Sequence, residues 1–143
     1  NLFLGSGLFG WRAADAAGVA VSVATDVGGG THLSLPRTLG DAYKVQAIAG
    51  ERLTAWKALD ASTRGAAAAL GFGHEIGSLS DGCTADVCVW DWAVGAVAER
   101  RMEVARSLHE RVFAWMTLAE DAALVKTYVA GSVRYERMRD RSR

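Results

Sequence analysis

The chain has 143 residues, 50% of them hydrophobic, with 16 basic and 16 acidic side chains that cancel. That length suits one domain with a buried core, and the charge balance gives no electrostatic ground for a nucleic-acid partner or an anionic membrane surface. No apolar stretch approaches the roughly 20 residues needed to span a bilayer, so no membrane partner is expected.

The chain opens at Asn1 on an apolar phrase, NLFLGSGLF, without a methionine, and reads as a cut through a larger protein. Trp11 to Ala17 is alanine-rich, and Gly18 follows where a helix C-cap sits. Val19 to Thr25, VAVSVAT, is short, valine-rich and apolar on both faces. That pattern predicts a parallel strand covered on both sides. Asp26 to Thr31 reads as loop. Ser34 is placed to cap the next helix and Pro36 fits its first turn. Leu35, Leu39 and Tyr43 then recur at helical steps, so this helix should run to about Ile48.

A second helix is expected from Thr54 as N-cap, with Trp56, Leu59, Thr63, Ala66, Ala67 and Leu70 at helical spacing and a stop at Gly71. IGSLSDG, from Ile76, is turn-rich, and ADVCVWD reads as a strand. A charged helix is predicted over Ala98 to Leu118. Its apolar stripe is Met102, Ala105, Leu108, Val112 and Met116, and Arg106 and Glu110 are spaced to pair. Val125 to Tyr135 reads as a hairpin turning near Ala130–Gly131. Arg134, Arg137, Arg139, Arg141 and Arg143, interrupted by Glu136 and Asp140, read as a solvated tail. Cys83 and Cys88 fall on opposite faces of the turn-and-strand segment and should stay unpaired. Two free thiols and no leader-like segment point to the cytoplasm.

The residue that raises a chemical question is Asp26. A carboxylate at the carboxyl end of a buried parallel strand sits where α/β and barrel enzymes gather reactive groups. Gly28, Gly29 and Gly30 would allow a ligand to approach closely. The same residues also suit a simpler role, in which Asp26 caps a turn and the glycines bend the chain. Spacing alone leaves both readings open. No lysine follows the glycines as a phosphate loop requires, and the dinucleotide G-x-G-x-x-G spacing fails. His32, His74 and His109 are isolated, and no H-x-H, H-E-x-x-H or G-x-S-x-G occurs. These residues alone do not assemble a complete active site.

The phrases carry more than the periodicities. NLFLGSGLF, ATDVGGGTHLSLPRTLGDAYKVQ, ALDASTRGAAAALGF and IGSLSDGCTADVCVWD, in this order, resemble the C-terminal part of bacterial guanine deaminases, within the metal-dependent amidohydrolase superfamily. Gly77 to Asp91 is shared widely in that superfamily; Thr25 to Thr31 is closer to guanine deaminases. The resemblance runs from Asn1 to about Tyr135. It implies an α/β fold, the C-terminal fragment of a (β/α)8 barrel plus part of an accessory β-sandwich. Residues 1–74 would be the last barrel strand and flanking helices, and residues 75–143 the return to the sandwich with one helix and a terminal hairpin.

The resemblance further implies that Asp26 ends the eighth barrel strand, binds the catalytic Zn2+ and handles the proton of its water. The substrate would be a small purine, guanine, converted to xanthine and ammonia, and the full-length protein a homodimer. The family's H-x-H, its other histidines and its acidic glutamate would lie upstream of Asn1, so the isolated chain is expected to be inactive. Two departures stand out: His32 replaces a small hydroxylated residue, and Pro36 a larger apolar one. Two other readings stay open. One is an amidohydrolase acting on another aminated or chlorinated heterocycle. The other is a non-catalytic remnant or interaction domain in which Asp26 merely caps a turn.

Overall fold

The computed structural model describes residues 3–138. Helix α1 (Trp11–Ala16) is followed by Gly18 at φ +70°, the expected C-terminal stop. Helix α2 (Leu35–Ile48) begins after Ser34 with Pro36 in its first turn, within a residue of the predicted bounds. Ser34 holds the N-cap position, but its hydroxyl makes no capping bond and among the described residues is buried without a partner. Helix α3 (Ala55–Ala61) is capped as predicted, with Thr54 Oγ1 accepting from the Lys57 N–H at 3.2 Å.

The helix predicted from Thr54 to Leu70 is in fact two. After Ala61 the hydroxyls of Ser62 and Thr63 both donate to the Leu59 carbonyl, at 2.9 and 2.7 Å. Thr63 leaves helical space (φ −132°, ψ −105°) before α4 (Arg64–Ala69) starts. Hydroxyls that bond backward compete with the helical ladder, so apolar spacing alone overran the break. The helix predicted over Ala98 to Leu118 divides likewise into α5 (Ala96–Val104) and α6 (Leu108–Leu118). Here Ser107 Oγ accepts from the Glu110 N–H at 3.2 Å, and the Glu110 carboxylate accepts from the Arg106 backbone N–H at 2.7 Å. This reciprocal cap starts a new helix. Glu110 therefore serves backbone, not the Arg106 side chain with which its spacing had paired it.

The third correction concerns Val19 to Thr25. Among the described residues no strand lies beside this segment, and its backbone ties to other elements are the Val19 N–H donating to the Ala14 carbonyl of α1 and the Val23 N–H donating to the Ala61 carbonyl, both at 2.9 Å. Val21, Val23 and Thr25 are half-buried while Ser22 and Ala24 are exposed, so one face is covered rather than both. A parallel strand depends on neighbours along its edges. The valines carry the signal for such a setting, but no described segment supplies it.

The strands that do form make one antiparallel sheet, β1 (Val87–Trp90), β2 (Leu124–Val129) and β3 (Ser132–Glu136), in that order. Ala130 and Gly131 both adopt positive φ, +48° and +75°, as a two-residue hairpin loop requires. Asp86 Oδ1 accepts from the Ala130 N–H at 2.8 Å, and the Ala85 carbonyl from the Gly131 N–H at 2.9 Å, fastening the turn to the start of β1. Arg137 donates to the Asp91 carboxylate and the Ala122 carbonyl, so this arginine of the basic tail is a structural tie. Arg139, Arg141 and Arg143 lie outside the described residues. Cys83 and Cys88 are free.

The core gathers Trp11, Leu39, Leu53, Ala58, Ala61 and Met116, with Val21 and Val23 packed against it. Helix α2 approaches α6 so closely that a Cβ on Gly40 would sit 3.2 Å from the Met116 carbonyl oxygen. Tyr43 meets Phe113 edge-on at 4.9 Å, and Trp90 meets Trp115 at 5.5 Å, which joins the sheet to the helices. Phe3, Leu4, Val19, Val27 and Leu33 stay exposed, an apolar surface of the kind that is normally covered. No helix among the described residues is long and apolar enough to cross a membrane. Leu39→Ala should cost about 2–5 kcal/mol in urea unfolding, because Leu39 is 1% exposed, whereas Leu33→Ala, at 75% exposure, should cost less than about 0.5 kcal/mol.

Candidate active site

Asp26 closes the extended segment and opens the loop VGGGTHL. Its own φ is +49°, a left-handed conformation uncommon for a residue with a side chain. Its carbonyl accepts from the Gly29 N–H at 2.9 Å and the Gly30 N–H at 2.5 Å, and these bonds reverse the chain. The reversal brings Gly30 so near the preceding segment that a Cβ there would stand 2.0 Å from the Thr25 carbonyl oxygen. A Cβ on Gly29 would stand 2.6 Å from Asp26 Oδ2. The Asp26 carboxylate thus rests against the bare backbone of Gly29.

This geometry bears on the two readings of Asp26. The turn is closed by its backbone carbonyl, and among the described residues its carboxylate takes no hydrogen bond or ion pair. A capping aspartate would use that carboxylate on a nearby N–H. Asp26 instead presents it to an open cavity of about 500 Å³ between the extended segment, the loop and α2. Phe9 and Trp11 give the cavity apolar lining, and Asp26, His32, Asp41 and Gln46 give it polar lining.

His32 has a definite place. Its side chain is 19% exposed, and its Nε2 lies 3.1 Å from Asp41 Oδ2 on α2. The other oxygen of Asp41 accepts from Lys44 Nζ at 3.0 Å. Among the described residues His32 Nδ1 is buried without a partner, while Nε2 faces the Asp41 carboxylate, an acceptor, so Nε2 is the donor of this bond. Partial burial acts to raise the Asp41 carboxyl, but the hydrogen bonds and charges of Lys44 and His32 outweigh it and hold the group below the ordinary aspartate range. A carboxyl lowered on folding stabilises the folded state above its ordinary pKa, and that contribution fades as pH falls through the lowered value.

Read as an isolated loop residue, His32 is instead the loop's contact with α2. Its partner lies nine residues on, beyond a helix start, so no short motif announces the pair. His74 sits 3.2 Å from Glu75 at the surface, and the His109 ring packs beside Trp56 at 6.0 Å. Among the described residues no three His, Cys, Asp or Glu side chains are grouped to hold a metal. A zinc site takes three or four protein ligands, so the residues present do not make one by themselves.

The amidohydrolase family model matches residues 1–134. The chain belongs to the amidohydrolase family. Among amidohydrolases it is similar to the guanine deaminase of Escherichia coli (strain K12), 39% identical over 137 residues that make up 96% of this chain and 31% of that protein. The solved structure of the E. coli guanine deaminase superposes with a TM-score of 0.93 at 38% identity, covering 96% of this chain and 32% of the other. Guanine deaminase from Bradyrhizobium japonicum gives a TM-score of 0.82 at 28% identity, covering 96% of this chain and 36% of its own. An adenosine deaminase from Xanthomonas campestris with bound zinc shares the fold, with a TM-score of 0.69 at 24% identity over 85% of this chain and 27% of its own. The chain therefore spans about a third of the length of the amidohydrolases it matches.

Gly30→Ala should open the turn and raise amide exchange across residues 27–33 at least about tenfold, whereas Gly28→Ala, with open space around it, should cost only about 1–2 kcal/mol from its positive φ. Below about pH 4, protonation of Asp41 should loosen the same loop, measured as exchange corrected for intrinsic rates; Asp41→Asn should remove that pH dependence.

Proposed function

We propose that this chain is the C-terminal third of an enzyme that hydrolyses guanine to xanthine and ammonia. The observation that carries the reading is the Asp26 carboxylate, free of the turn it begins and facing a cavity, in a chain so similar to guanine deaminase over 96% of its length. In this reading residues 1–74 contribute the last strand of a (β/α)8 barrel with its flanking helices, and residues 75–143 return to a small β-sandwich. The reading is supported by the Val19–Thr25 segment, beside which no strand lies among the described residues, and by exposed apolar side chains such as Val19 and Val27. The antiparallel sheet at the other end suits part of a sandwich.

Asp26 would be one ligand of a catalytic Zn2+, with the remaining ligands supplied by segments outside this sequence. When bound, zinc activates water near neutral pH. The contribution of this chain is a carboxylate fixed at the cavity rim, able to accept a proton and return it to the departing amine. Overall, water adds at the amino-bearing carbon of guanine, the C–N bond breaks, and nitrogen leaves as ammonia. The full-length enzyme is proposed to be a cytoplasmic homodimer, and the isolated chain to be inactive.

In the full-length protein, Asp26→Asn should lower kcat for guanine by about 10²–10⁴-fold while leaving the circular dichroism spectrum and melting temperature nearly unchanged. Near-normal ammonia release by that variant would refute the role given to Asp26. Turnover of another aminated heterocycle in preference to guanine would redirect the substrate assignment.

A further inference from the structure

We propose that His32 is a positioning residue for Asp26, acting through the glycine loop and anchored by Asp41. The proposal rests on the reading of Asp26 as the reactive carboxylate. It begins from how the loop is held. Val27 and Leu33 are exposed and fasten nothing. Among the described residues, His32 to Asp41 is the one side-chain hydrogen bond from residues 27–33 to another element. The start of the loop is pinned by the Asp26 carbonyl at Gly29 and Gly30, and its far end by His32.

The anchor is firm. Asp41 belongs to α2, whose Leu39 is buried in the core and whose Gly40 lies against the backbone of α6. Lys44 donates to the other oxygen of Asp41 from the same helix, which holds the carboxylate toward the Nε2 of His32. From that ring the chain runs back through Thr31 and Gly30 to Gly29, the residue against which Asp26 Oδ2 rests. A loop that swings at His32 moves the seat of the carboxylate. His32 also lines the cavity, and its hydrogen bond to Asp41 links it to Asp26 through the loop.

The test uses the full-length protein with His32→Ala, Asp41→Ala, the double variant and His32→Gln, whose amide N–H can replace the Nε2 donor. Two readings are taken: amide exchange of peptides covering residues 27–34, and kcat and KM with guanine. His32→Ala and Asp41→Ala should each raise loop exchange and lower kcat about tenfold, with KM changed less than about twofold. The double variant should be no worse than either single one, and His32→Gln should recover most of both losses. Unchanged exchange protection in α6 peptides verifies the fold of each variant. Unaltered loop exchange in His32→Ala, additive losses in the double variant, or no recovery with His32→Gln would overturn the proposal. If the wild-type enzyme does not deaminate guanine, the functional reading fails separately; the exchange measurements then decide the tether on their own, with a loop loosened by His32→Ala upholding it and an unmoved loop refuting it.

Discussion

The site depends on a single reversal of the chain, in which one carbonyl, that of Asp26, accepts from two successive glycine N–H groups. Because the backbone closes this turn, the side chain is spared. Because the turn is so tight, the third glycine passes within van der Waals reach of the Thr25 carbonyl it has just left, and no larger residue fits there. The three glycines are therefore not interchangeable. One supplies a conformation, one a surface for the carboxylate, and one a crossing.

Everything else serves to hold that reversal in place. Val21 and Val23 pack on the core and hold the approach to Asp26. Helix α2, locked against α6, offers Asp41 on the far side, and the loop is strung between the two. The antiparallel sheet is joined to this assembly by the Trp90–Trp115 contact. Arg137 holds the end of its hairpin to Asp91 and Ala122.

Several of these relations were legible in the sequence. Thr54, Pro36 and Gly18 punctuate helices in the expected way, and Ala130–Gly131 marks the hairpin. Asp26 stood out because an apolar run delivers it directly to three glycines. Two helix breaks were hidden. At Ser62–Thr63 the apolar spacing continues while hydroxyls quietly terminate the helix. At Ser107 the S-x-x-E signature was present, but Glu110 also sat at ion-pair spacing from Arg106, and the backbone N–H took the carboxylate. The valines of residues 19–25 predict a sheet correctly as a chemical preference and wrongly as a local fact, since a ladder needs a partner. His32 was opaque for a similar reason: its meaning lies in a partner reached only after a turn and the start of a helix.

The Val19–Thr25 segment has one further consequence. Apart from the Val19 bond to Ala14 and the Val23 bond to Ala61, the described residues give its backbone donors and acceptors no ladder to join. Such unpaired groups form an edge on which another extended segment can pair. These seven residues, valine-rich with neither charge nor proline, have the composition of segments that pair edge to edge when left uncovered. Ser22, the one hydroxylated residue among the valines and alanines before Thr25, is the only polar interruption on that path.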